Sequence, residues 1–153
     1  MSPTRGKLTF EQLFRDLMAY VCQEPEAHYR LIVGTDSQVR DETTFVTAII
    51  IHRAGKGARY YYSRERSRYT RSLRQRIFYE TAKSLEIAGK LAAKLAENGH
   101  SDLDIEIHLD VGENGPSRDL IREVVGMVTG SGFEALIKPN SYGASKVADK
   151  YTK

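Results

Sequence analysis

The chain has 153 residues, 41% hydrophobic and 28% charged, which suits one globular domain over 1–153 with residues 1–8 expected to be flexible. No stretch approaches the roughly 18 consecutive apolar residues of a membrane helix, and the opening residues lack the apolar centre of a secretion signal, so a cytoplasmic location is expected. A net charge of +3 is only mildly basic, while a single cysteine excludes an internal disulfide and four scattered histidines exclude a zinc motif.

From Thr9 to Cys22, Phe10, Leu13, Phe14, Leu17, Met18 and Val21 recur at helical spacing, with Thr9 as N-cap and Gln12 three residues on. Cys22 is expected to be a small buried residue of this helix. Glu24-Pro25-Glu26 marks a loop. Tyr29–Asp36 and Thr43–His52 are β-branched runs joined by the short turn Arg40-Asp41-Glu42, and Ala58–Ser63 makes a third strand, completing an antiparallel meander.

A long helix follows, beginning near Ser67 or Arg71 and running to Asn98, with Gly99 just past its end. Its apolar stripe is Leu73, Ile77, Leu85, Ala88, Leu91, Ala92 and Leu95. Next come a strand Asp104–Leu109, a glycine-bearing turn over Val111–Gly115, a helix from Ser117 to about Thr129 with Ser117 as N-cap, a strand Phe133–Ile137 and a final helix over about Tyr142–Tyr151. This order predicts an α/β fold with a mixed five-stranded sheet. The last two strands return by helical crossovers to run parallel with the first.

Open sheets of this kind bind ligands beyond the carboxyl ends of their parallel strands. Two strands here run into aspartate, Asp36 and Asp110. Placed side by side, their carboxylates repel one another, and a hard divalent cation such as Mg²⁺ or Mn²⁺ relieves that repulsion. A pair of ions about 3.5–4 Å apart stabilises both the attacking water and the leaving oxygen of phosphodiester cleavage. Glu80 lies on or beside the helical stripe that faces the sheet, where a charge needs a partner. It is either a metal-directed carboxylate or a stripe-edge glutamate that snorkels or pairs with Arg76 or Lys83.

Asp149, flanked by Ser145, Lys146 and Lys150, is either a fourth carboxylate or part of a solvated terminal helix. The lysines beside it either contact substrate phosphate or neutralise Asp149. Arginines 59, 64, 66, 68, 71, 74 and 76 crowd one segment interleaved with Tyr60, Tyr61, Tyr62 and Tyr69, a composition suited to phosphate and base contacts or to a solvated connection. The loop after Asp110 lacks the Lys-Ser/Thr ending of a P-loop, which argues against nucleotide hydrolysis of that type. His108 is read as a satisfied structural histidine or, alternatively, as a general acid/base.

Three runs carry a family likeness: Gly34-Thr35-Asp36-Ser37-Gln38, His108-Leu109-Asp110-Val111-Gly112, and Ile137-Lys138-Pro139-Asn140-Ser141-Tyr142 through Ala144-Ser145 and Val147-Ala148-Asp149-Lys150. In this order they resemble the bacterial YkuK-type family of the ribonuclease H-like superfamily, over nearly the whole span from Leu31 to Lys153. The resemblance implies three antiparallel strands followed by alternating helices and strands. It also implies a metal site on Asp36, Glu80, Asp110 and Asp149.

Ser37, Gln38, Asn140 and Ser141 belong to the family's own signature and are expected to line the substrate pocket. Lys138, Ser145, Lys146, Lys150, Arg68 and Arg71 complete the expected substrate-binding set. Two functional classes follow. One is a nuclease cleaving RNA, DNA or a hybrid by a two-metal-ion mechanism, and the other a non-catalytic nucleic-acid-binding or regulatory module that keeps the fold.

Overall fold

The computed structural model describes residues 8–68, 72–100, 103–112 and 115–138. Helix α1 (Phe10–Gln23) opens with the expected capping box: the Thr9 hydroxyl accepts the Gln12 amide at 3.1 Å and the Gln12 side chain accepts the Thr9 amide at 2.9 Å. Leu13, Phe14, Leu17, Tyr20 and Val21 form its buried stripe. Cys22 is exposed, contrary to expectation, because the roughly 100° step from Val21 carries it off the stripe. Arg53 anchors the far end of the helix by stacking on the Tyr20 ring at 3.9 Å and donating to the Tyr20 carbonyl at 2.7 Å.

Strands β1 (Tyr29–Val39), β2 (Thr43–Arg53) and β3 (Ala58–Ser67) make the antiparallel meander. The second turn uses Gly55 and Gly57 at φ of 73° and 98°, a conformation that favours glycine. β3 continues past the expected end at Ser63 through Arg64, Glu65 and Arg66. It is the sheet's edge, where backbone pairing to β2 on one side proceeds whatever the side-chain polarity and where charges are common.

Helix α2 (Leu73–Glu97) starts two residues after Arg71, because Ser72 and Gln75 form a second capping box there, so that Arg74 and Arg76 of the arginine segment lie in its first turns. Leu73, expected in the buried stripe, sits in the first turn and is 37% exposed. Gly99, at φ 76°, ends the helix as expected. β4 (Asp104–His108) then pairs in parallel with β1, a short 3-10 turn leads into α3 (Ile121–Gly130), and β5 (Glu134–Leu136) pairs in parallel with β4. Ser117 makes no cap bond to the turn that follows it; its hydroxyl accepts the Gly112 amide at 3.3 Å instead. The final helix expected over Tyr142–Tyr151 lies outside the described residues.

The sheet order is β3-β2-β1-β4-β5, the mixed arrangement predicted from the element order. α1, α2 and α3 bury their stripes on one face against Leu31, Val33, Ile49, Ile51, Tyr61, Ile107 and Leu109. The alternate residues Val46, Ala48 and Tyr62 cluster on the other face. Among the described residues no helix is long and apolar enough to cross a membrane.

Leu17 is fully buried where α1 meets the sheet. Leu17→Ala is expected to cost about 2–5 kcal/mol, read as a lower urea midpoint with an unchanged denaturant slope.

Candidate functional site

β1 lies at the centre of the sheet between β2 and β4, and its parallel pairing with β4 ends at Gly34 opposite His108. Two residues further along each chain come Asp36 and Asp110, side by side at the carboxyl rim. Asp36 shares the pleat of Gly34, facing away from the helices, whereas the buried Thr35 and Ser37 face α2.

A polar seam through the apolar layer joins α2 to β1. The Thr35 hydroxyl meets Ser84 at 2.8 Å and Thr47 at 3.0 Å. One helical turn nearer the rim, the Ser37 hydroxyl donates to Glu80 Oε2 and accepts from Arg76 Nε at 3.0 Å. The two-residue strand period matches the four-residue helical step, so these bonds hold Glu80 level with Asp36. Each hydroxyl is paired, as buried polar groups require.

Glu80 is thus neither a snorkelling residue nor paired with Lys83, which is engaged by Glu65 and Glu86. It is only 6% exposed, and burial pushes its carboxyl up to about 8. The hydrogen bond from Ser37 and the Arg76 charge oppose that shift, while the negative charges of Asp36 and Asp110 add to it.

Lys138 meets this negative charge from the other side. Its ammonium lies 2.5 Å from Asp110 Oδ1, and its pKa is raised by that bond first and by the charges of Asp36 and Glu80 in addition. Lys138, expected as a substrate contact, pairs with the Asp110 carboxylate. Among the described residues no three His, Cys, Asp or Glu side chains gather as a group able to hold a metal ion. Asp149 lies outside the described residues, as do Arg71, Asn140, Ser141, Ser145, Lys146 and Lys150.

The remaining sequence-predicted residues divide. Gln38 shares the Asp36 pleat, and its Oε1 is buried with no hydrogen-bond partner among the described residues. Ser37 is committed to Glu80, and Arg68 is exposed and paired with Glu42 at 3.1 Å. His108 is buried with neither ring nitrogen partnered among the described residues, where it is not the satisfied histidine expected. Burial, with help from Arg30, lowers its pKa to about 4 and keeps it neutral at neutral pH.

The arginine/tyrosine segment is split by the pleat of β3. Tyr61 is buried on the helix side, where it bonds Asp16, and Arg59 pairs with the same carboxylate at 3.3 Å. Tyr60, Tyr62, Arg64 and Arg66 take the opposite face, with Arg64 in one cross-strand row with Val46 and Asp36. Sequence reasoning missed Thr47 and Ser84, and it met Thr35 only inside the family run and Arg76 only as a candidate partner of Glu80. Their signal is present as polar residues at strand-alternate and helix i, i+4 positions within otherwise apolar faces.

A meander with two parallel returns, carrying acidic residues at the rim beside the first crossover helix, defines a ribonuclease H-like protein. The Ribonuclease H-like family profile matches residues 12–153, and the chain belongs to that family. Within it the chain is of the YkuK type: it is 39% identical to the uncharacterized protein YkuK of Bacillus subtilis (strain 168) over 167 aligned positions, covering 98% of this chain and 94% of that protein. No solved structure matches the chain.

Proposed function

We propose that this protein is a metal-dependent nuclease that hydrolyses phosphodiester bonds of RNA, DNA or an RNA/DNA hybrid. Asp36, Glu80, Asp110 and Asp149 are the carboxylates assigned to Mg²⁺ or Mn²⁺. The observation that carries this reading is the buried Glu80 beside Asp36 and Asp110, its proton affinity raised first by burial and then by the negative charges of those two aspartates. Such a set of hard oxygen donors fits a hard divalent cation, whose charge offsets the repulsion. When bound, the ions supply an acidified water and charge stabilisation at the leaving oxygen.

The chain's own residues have distinct tasks in this reading. Ser37, held by Arg76, fixes the orientation of the Glu80 carboxylate. Gln38 offers a buried acceptor on the Asp36 face, suited to a ribose hydroxyl or a base amino group. Arg64 stands two strands from Asp36, roughly 10 Å away, and with Arg66, Tyr60 and Tyr62 is assigned to the phosphates and bases of the bound strand.

A binding module without catalysis is the second reading, favoured by the absence of a closed group of three metal-directed side chains among the described residues. Labelled single-stranded, duplex and hybrid substrates separate the two. Cleavage is expected in Mg²⁺ or Mn²⁺, to be lost in EDTA and to return when metal is restored. Cleavage that persists in EDTA overturns the metal assignment, and salt-sensitive binding with no cleavage in either metal favours the module.

A further inference from the structure

We propose that Lys138 is a built-in counter-ion that takes one cation position of the carboxylate site, so that the site accepts one divalent ion beside an ammonium instead of two divalent ions. This inference rests on the metal-dependent reading above. It replaces the two-ion arrangement expected for the superfamily with one particular to this chain.

The placement of Lys138 is built by the backbone. Beyond the last β4–β5 pair, Leu109 N donates to Leu136 O at 2.8 Å and Lys138 N donates to Val111 O at 2.9 Å. These bonds draw the chain after β5 along the segment that carries Asp110. Gly112 leaves the room for it, since a Cβ there would lie 3.0 Å from Lys138 Cβ. The Ser117 hydroxyl, accepting the Gly112 amide, holds that backbone in place. The side chain of Lys138 is thus carried over Gly112 to Asp110.

An ammonium is a compact charge with three donors and no acceptor, so at 2.5 Å it occupies Asp110 Oδ1, an oxygen that a second divalent ion would need. Of the other nearby cations, Lys83 is engaged by Glu65 and Glu86, and Arg76, whose Nε donates to Ser37, acts on Glu80 from α2. The negative charge of Asp36, Glu80 and Asp110 is therefore met from the β5 side by Lys138.

The test is calorimetric titration of the full chain with Mn²⁺, with no substrate present. Wild type is expected to bind one ion and Lys138→Met two. Lys138→Gln, which keeps a polar chain of nearly the same reach without the charge, is expected to behave as Lys138→Met, and Lys138→Arg to retain a single ion. Circular dichroism melts in EDTA confirm that each variant is folded. Two ions bound by wild type, or one ion bound with equal affinity by wild type and both neutral variants, overturns the counter-ion role while leaving the nuclease reading in place. No Mn²⁺ binding by wild type or by any variant overturns both.

Discussion

Asp36→Asn is expected to abolish metal-dependent cleavage, with a loss on the order of 10³-fold, while leaving the fold intact. The side chain projects from the pleat opposite the helices and is only half buried, so an isosteric amide disturbs neither the core nor the pairing of β1 with β2 and β4. It does remove one of the charges a cation would answer. Several kcal/mol of transition-state stabilisation is what a metal ligand of this kind commands, and each 1.36 kcal/mol is tenfold in rate.

The same substitution removes a negative charge that raises Glu80, so Glu80 in the variant is expected to ionise at lower pH than in wild type. Single-turnover cleavage together with a thermal melt reads both effects. Equal cleavage by variant and wild type would sink the assignment of this site, and loss of cleavage accompanied by loss of the folded signal would reassign Asp36 to structure.

Glu80→Gln is the second large effect, and its direction depends on pH. In the folded protein the Glu80 carboxyl is raised to about 8 from an ordinary value of 4.5. Between those values the native state keeps a proton that the unfolded chain has released. The stability this gives is fully present below about pH 4.5 and is lost as pH rises through about 8. Glutamine cannot titrate, so the wild-type-minus-variant difference in unfolding free energy falls across that window.

Above it, the metal-free variant is expected to be the more stable protein by a few kcal/mol, because a buried carboxylate there is incompletely compensated. Added Mn²⁺ reverses the order, since an ion that binds only the native state stabilises wild type and not the variant. Urea midpoints at pH 5 and pH 8.5, in EDTA and in Mn²⁺, measure all four corners. A difference that does not change with pH in EDTA would refute the account of Glu80 as a charge held in the core.

Much of this protein can be read in the linear order of its residues. The meander, the two parallel returns and the capping box at Thr9 follow from strand runs, turn residues and periodicity, because each depends on residues close in sequence. Asp36 and Asp110 are visible for the same reason, as the residues into which apolar strand segments run. The start of α2 is equally local: Ser72 and Gln75 carry the same capping pattern as Thr9 and Gln12, masked by the arginines before them.

Tertiary packing decided the rest. Whether Glu80 is buried, which hydroxyl holds it, and that Thr35 and Ser84 form a rung beside it depend on the crossing of α2 over β1, set by side chains far apart in the sequence. The arginine/tyrosine segment looks uniform in composition, yet the two-residue pleat sends Tyr61 into the core and Arg64 toward solvent. Lys138 reads as one more basic residue near the C-terminus until β5 is laid beside β4 and its ammonium meets Asp110.

The sequence by itself determined the order of the elements among the described residues and picked out two aspartates, Asp36, which lies three residues inside the end of β1 rather than at it, and Asp110, just past β4, since propensity and hydrophobic period act over a few residues. Only the tertiary structure decided how the charges are shared at the rim, because Coulomb interaction and desolvation depend on distance through the fold and not along the chain.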